Sequence, residues 1–218
     1  MFDYTQDVFV SDYGLSSDAI FWTRAAFLMI NSAFFVVPAL GFSHLDVNLT
    51  DYTYWGFHLT ELALLFSIWA SRYSDPDASM FNYQPGAVWL TGLAQTTNIL
   101  IALTFFTFAW FGPDSDYGFS TPEQWALLAT EIPAHTIPLA FTSLNLYLLS
   151  DVSLQLADIW LVLIPTCVYG GITFLYSRLE PEYISAYFLT WDEPLTIYSA
   201  LVLVPAALGA WVSQALLT

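Results

Sequence analysis

Six long apolar runs separated by short polar breaks set the pattern of the chain. They extend approximately from Ala19 to Phe42, Thr53 to Ser71, Ala87 to Gly112, Trp125 to Ser150, Leu154 to Tyr176 and Leu195 to Leu217. Each is close to the ~20 residues that a helix needs to cross a bilayer. The breaks "SRYSDPDAS", "GPDSDYGFSTPEQ" and "SRLEPEYISAYFLTWDEP" concentrate Asp, Pro, Gly and Ser, which favour turns and whose backbone groups cannot stay unpaired in hydrocarbon. Continuous apolar runs also exclude a closed barrel, whose strands alternate residue by residue. The pattern predicts an all-α, polytopic membrane helical bundle with about six transmembrane helices. Six spans of ~20 residues leave only short loops and an N-terminal segment for water. Residues 19–218 therefore form one transmembrane domain, preceded by the acidic segment 1–18, "MFDYTQDVFVSDYGLSSD". That segment lacks the basic start of a signal peptide and the Arg-rich pattern of a transit peptide, and its Phe2, Val8, Phe9 and Val10 can rest on the interface.

Composition strengthens the membrane reading: 57% of residues are hydrophobic and only 10% are charged, against roughly a quarter charged in a soluble domain. The charge that remains is one-sided. Nineteen Asp and Glu face three basic residues, Arg24, Arg72 and Arg178, with no lysine, for a formal net charge of -16. Such a balance argues against nucleic acid and favours cations or basic protein partners. Six spans place Arg24 and Arg72 on one side and Arg178 on the other, which assigns the N-terminus to the cytoplasmic side by two to one. Acidic loops on both faces fit a high-salt habitat or burial against basic neighbours. Cys167 lies mid-span and has no intrachain cysteine to pair with.

Ionisable groups inside the spans carry the candidate chemistry, because a charge at the bilayer centre costs at least ~2.5 to 3.5 kcal/mol. His58 and Glu61 share a face of the second span, and Glu131 and His135 share a face of the fourth, by their spacings of three and four. The competing reading of both pairs is a polar cluster that fixes helix register. All four are expected to face the bundle interior. Arg24 and Asp158 lie near span ends and read as snorkelling or interfacial pairs. Asn31, Gln95, Asn98 and Asn145 read as hydrogen-bonding links between helices. Pro133 and Pro138 bracket His135, free two carbonyls and predict a bend.

Three stretches carry a family resemblance: "DYTYWGFHLTELALLFSIW", "AHTIPLAFTSLNLYLLSDVSLQLADIWLVLIPTCVYGGITFLYS" and "EYISAYFLTWDEPLTIYSALVLV". In this order, over about residues 45–215, they resemble the superfamily of six-helix membrane proteins that includes the androgen-induced and rolling-stone proteins. In the androgen-induced branch, an intramembrane threonine and histidine hydrolyse fatty acid esters of hydroxy fatty acids. The resemblance implies Thr53 of "YTYW" as nucleophile and His135 of "AHTIP" as its base. Glu131, one turn before His135, is read from its position as an orienting or charge-stabilising group. This pairing has a geometric requirement. His135 lies about 15 Å below the start of its span and Thr53 near the mouth of its own, so the second helix must begin earlier, near Val47, or the helices must be axially offset.

Two further readings compete with a lipid-ester hydrolase. One is a non-catalytic accessory subunit of a larger membrane assembly, motivated by the charge balance and the lack of an aqueous domain. The other is a haem or metal site ligated by His58 and His135, although no ligand-rich motif accompanies them and no cofactor or metal is otherwise implied. The expected partners are membrane lipids, a lipid ester if the chain is an enzyme, and basic proteins if it is a subunit.

Overall fold

The computed structural model describes residues 13–42, 45–73, 83–110, 120–151, 154–179 and 194–217, and the regular elements among them are all helical. Ser16 opens α1 (Ser17–Asn31) by accepting the Ala19 N–H. The helix widens into a π-helical turn over Ser32–Val36 and resumes as α2 (Val37–Phe42). A short α3 (Leu45–Thr50) breaks at Asp51, and α4 (Tyr52–Tyr73) follows. α5 (Gln84–Thr104) also ends in a π-helical stretch, Phe105–Trp110. α6 (Pro122–Tyr147) begins with a capping box between Thr121 and Gln124 and with Pro122, whose missing N–H costs nothing in a first turn. A 3-10 turn at Leu156–Asp158 leads into α7 (Trp160–Leu179), and α8 (Pro194–Leu217) completes the bundle.

Each apolar run of the sequence has a counterpart in one long helical stretch. Three of these, Ser17–Phe42, Gln84–Thr107 and Leu156–Leu179, are long and apolar enough to cross a membrane by length and composition. Residues 1–12 of the acidic segment lie outside the described residues, and Ser17 and Asp18 already belong to α1.

The bundle is organised around α5, which is buried almost continuously from Ala87 to Ala102 and packs mainly on α4 and α6, with α8 behind it. Two glycines permit the close approach. A Cβ on Gly56 of α4 would lie 2.5 Å from Ile101 Cδ1 and 2.6 Å from Asn98 Oδ1, both on α5. On Gly92 of α5 it would lie 2.9 Å from Leu154 Cδ2 and from Trp211 Cζ3.

Polar positions along these helices repeat every seven residues. α4 contributes Thr53, Thr60 and Ser67; α5 contributes Thr91 and Asn98, with the aromatic Phe105 at the next interval in the π stretch; α6 contributes His135 and Thr142, with the backbone carbonyl of Leu149 just beyond its end at the next. Seven residues are nearly two helical turns, so each set lies on one stripe, and about 10.5 Å separates successive levels. The antiparallel α5 and the parallel α6 then meet α4 level by level. At the first level, Asn145 Nδ2 donates to Ser67 Oγ and Thr91 Oγ1, both at 3.1 Å. At the second, Asn98 Nδ2 donates to Thr60 Oγ1 at 2.8 Å, while Thr142 donates to Gln95 Oε1 at 2.5 Å and Gln95 Nε2 to Ser143 at 2.8 Å. At the third, Thr53, Phe105 and His135 converge.

Arg24 closes the first level and corrects the snorkelling expectation. Its side chain is fully buried. Nε donates to Asn145 Oδ1 at 2.7 Å, and Nη2 donates to the Leu149 carbonyl at 2.9 Å and to Ser150 Oγ at 2.7 Å. A longer contact reaches the Ser67 carbonyl. Asp158 is buried as well. The interfacial role falls instead to Arg72, whose Nη2 lies 3.2 Å from exposed Asp18 Oδ1 at the same end of the bundle. An arginine about two turns inside a helix end can go either way in sequence; here four acceptors wait inside.

Replacing Arg24 by methionine keeps most of the stem volume but strands Asn145 Oδ1 and the Leu149 carbonyl. The expected loss is about 2–5 kcal/mol of stability, measurable as a lower unfolding temperature in non-ionic detergent. Arg24→Lys should recover only part of it, because one ammonium cannot span the same fork of acceptors.

Candidate active site

The two histidine–glutamate pairs of the sequence go to separate places. Glu61 accepts from Asn31 Nδ2 at 2.7 Å and from the Ser32 hydroxyl, so it belongs to the α1–α4 contact where α1 enters its π turn. His58 Nε2 lies 3.0 Å from Asn48 Oδ1 of α3. Position 58 is five residues from position 53, about 140° round α4. Thr53 therefore faces His135, whereas His58 faces α3. His58, Glu61 and Glu131 are half-buried, and His135 is buried. Among the described residues no group of three or more His, Cys, Asp and Glu could hold a metal ion.

Thr53 and His135 do come together. Thr53 Oγ1 lies 3.5 Å from His135 Nε2, at the long limit of a hydrogen bond. Asp51 sits just before α4 and accepts the Thr53 N–H on Oδ1 at 2.8 Å, an N-cap bond that fixes the first turn carrying the hydroxyl. The axial offset that the sequence required is present. α6 begins thirteen residues before His135, whereas α4 begins one residue before Thr53, so the first turns of α6 extend past the mouth of α4. The short α3 occupies the chain just before Asp51.

His135 is oriented from three directions. Its Nδ1 lies 2.7 Å from the backbone carbonyl of Glu131. A carbonyl can only accept, so Nδ1 carries the proton, and in the neutral ring Nε2 presents its lone pair to Thr53. The Glu131 carboxylate is farther, with Oε2 at 3.7 Å from Nδ1. The orienting bond expected from Glu131 is thus made by its main chain, and its side chain stands by as a nearby negative charge. Phe105 stacks flat on the imidazole, with centroids 4.0 Å apart and planes 13° from parallel.

The pair opens on a cavity of about 720 Å³ between the end of α1, α2, the start of α4 and the middle of α6. Its wall is mostly apolar, from Ile30, Phe34, Phe35, Pro38, Phe57 and Ile137, and its polar side chains include Asp51, Thr53, Glu131 and His135. Pro133 and Pro138 withhold their N–H groups from the carbonyls of Ala129 and Ala134, both residues of that wall. The π turn of α1 supplies Phe34 and Phe35. Such turns recur beside functional sites because they displace side chains from the regular helical positions.

Compared with protein-family models, curated proteins and solved structures, the chain matches none.

Two site residues were missed in the sequence reading. Asp51 had a local signal, since an acid two residues before Thr53 at a helix start is an N-cap pattern. Phe105 is signalled only through the seven-residue interval from Thr91 and Asn98.

Because the backbone fixes the imidazole, Glu131→Gln should leave its tautomer unchanged. Nitrogen NMR of histidine-labelled protein is expected to show a protonated Nδ1 and an unprotonated Nε2 in both parent and variant. A switch of tautomer in the variant would assign the orienting role to the carboxylate.

Proposed function

We propose that the chain is a multi-pass integral membrane hydrolase of fatty acyl esters, with Thr53 as nucleophile and His135 as general base and acid. The observation that carries this reading is the Thr53 Oγ1 to His135 Nε2 approach at 3.5 Å in the wall of a largely apolar cavity. A volume of about 720 Å³ falls in the usual range of small-molecule sites, and its apolar lining suits an acyl chain. Resemblance to the androgen-induced branch points to fatty acid esters of hydroxy fatty acids as one such substrate.

The chemistry follows from the placement of protons. Thr53 Oγ1 attacks the ester carbonyl while Nε2 takes the hydroxyl proton, and the imidazolium is held by the Glu131 carbonyl on Nδ1 with two carboxylates nearby. Collapse of the tetrahedral intermediate breaks the bond to the alcohol oxygen, which leaves with the proton from Nε2. Water then attacks the acyl-threonine ester, giving its proton to the same nitrogen. The fatty acid departs as the proton returns to Thr53 Oγ1.

Single changes Thr53→Ala and His135→Ala are each expected to lower ester turnover by at least ~100-fold, with the double variant little worse than either, because an activated pair acts as one unit. Labelling of the parent by a hydroxyl-directed fluorophosphonate should disappear with Thr53→Ala. A well-folded parent that neither turns over esters nor takes the label would overturn this reading and leave the pair as a structural contact of an accessory protein.

We further propose six crossings, with α4, α6 and α8 joining the three more apolar spans. What supports this is that the titratable groups lowering the hydropathy of α4 and α6 lie against neighbouring helices. On a Cys167→Ser background, cysteines at Ser16 and Ser120 should react with an impermeant maleimide from opposite sides of the membrane. Labelling of both from one side would contradict six spans.

A further inference from the structure

We propose that this cavity selects esters whose alcohol portion is cationic and turns away those with an anionic group next to the reacting carbonyl. The inference rests on the hydrolase reading for where the carbonyl sits. Its own basis is the charge around that point.

Two carboxylates flank the reacting pair. Asp51 Oδ1 is 2.8 Å from the Thr53 amide nitrogen, which puts it within about 6 Å of Thr53 Oγ1 by the covalent geometry of a single residue. Glu131 Oε2 is 3.7 Å from His135 Nδ1 on the other side. No arginine lines the cavity, and the chain has no lysine. Arg24 is spent on the first polar level, Arg72 pairs with Asp18, and Arg178 sits in the last turn of α7. A phosphate or carboxylate on the alcohol portion would meet two like charges across an apolar, weakly screening wall, with only the imidazolium formed during turnover to offset them. A quaternary or primary ammonium meets the same carboxylates favourably. The faces of Phe34, Tyr54 and Phe57 in the lining add cation–π attraction. An ester of a hydroxy fatty acid is compatible only where several methylenes carry its carboxylate clear of both acids.

The test compares decanoylcholine with decanoylglycolate in non-ionic detergent, so that the same acyl chain carries either a cation or a carboxylate two atoms from the ester oxygen. The expected ratio of kcat/KM is at least about 30-fold in favour of the choline ester, the size of effect that two like charges impose in a partly screened site. Asp51→Asn, which can still cap α4, and Glu131→Gln should each shrink the ratio, and the double variant should bring it near unity. Asp151→Asn, an exposed acid just beyond α6, should leave it unchanged and controls for the overall negative charge. Equal rates for the two esters, or a ratio indifferent to Asp51 and Glu131, would overturn the proposal while leaving the hydrolase intact. If neither ester is turned over, the hydrolase reading fails. The charge preference is then read by competition of decyltrimethylammonium and decanoate for a neutral fluorescent fatty alcohol held in the cavity. Displacement weighted at least about tenfold towards the cation, and abolished by the double variant, supports the inference; equal displacement sinks it.

Discussion

A buried guanidinium sets the terms for the whole bundle. Removing Arg24 from water costs several kcal/mol unless its donors are satisfied, and inside the bundle, where it is fully buried, the acceptors it meets are those the neighbouring helices bring. α6 brings the most, because the carbonyls beyond its last turn have no intrahelical donor and form the negative pole of the helix. Arg24 takes the Leu149 carbonyl, Ser150 and Asn145, and Asn145 passes the connection to Ser67 and Thr91. Four helices, α1, α4, α5 and α6, are thereby held at one level. Sliding any of them by a turn would leave a charge or an amide unpaired.

Fixing one level fixes the others through the seven-residue interval. Dispersion between apolar faces does not by itself choose a register, since lipid tails attract leucine as well as a helix does. Hydrogen-bonding side chains at positions 53, 60 and 67 of α4, 91 and 98 of α5 and 135, 142 and 145 of α6 do choose one. The glycines at 56 and 92 let the backbones approach closely enough for side chains as short as Thr and Asn to bridge the gap. Placement of Thr53 beside His135 is therefore a consequence of contacts made about 20 Å away at the other end of α4.

Much of this was legible in the sequence, and the limits have physical causes. The helices and their approximate ends follow from apolar runs and turn residues, because a chain in lipid has few alternatives to the helix. Thr53 and His135 came from resemblance, and their distance required an offset that composition cannot reveal. The burial of Arg24 was not legible, since the same residue about two turns inside a helix end can snorkel or turn inward according to what the neighbours offer. His58 and Glu61 looked like the twin of Glu131 and His135. They differ because α3 and the π turn of α1, neither visible as an apolar period, supply Asn48 and Ser32 to absorb them. The polar heptads themselves were readable, but only by asking which uncharged polar residues recur every seven positions inside apolar runs.

That interval also separates the structural from the chemical use of polar groups in this bundle. At the first two levels hydroxyls and amides bond to one another across three helices, and groups so engaged hold helices together. The third level is built differently. α5 offers an aromatic face in place of an amide, the imidazole proton is anchored on a backbone carbonyl, and the Thr53 hydroxyl lies at 3.5 Å from the opposite nitrogen. Its remaining side is cavity rather than a fourth helix. Gluing helices together would be served better by another Thr–Asn bridge like the one at Thr60. An imidazole anchored by a backbone carbonyl beside a hydroxyl with no other hydrogen bond among the described residues, facing a space lined by phenylalanines and two carboxylates, is an arrangement in which the seam has stopped closing on itself and opened onto a cavity.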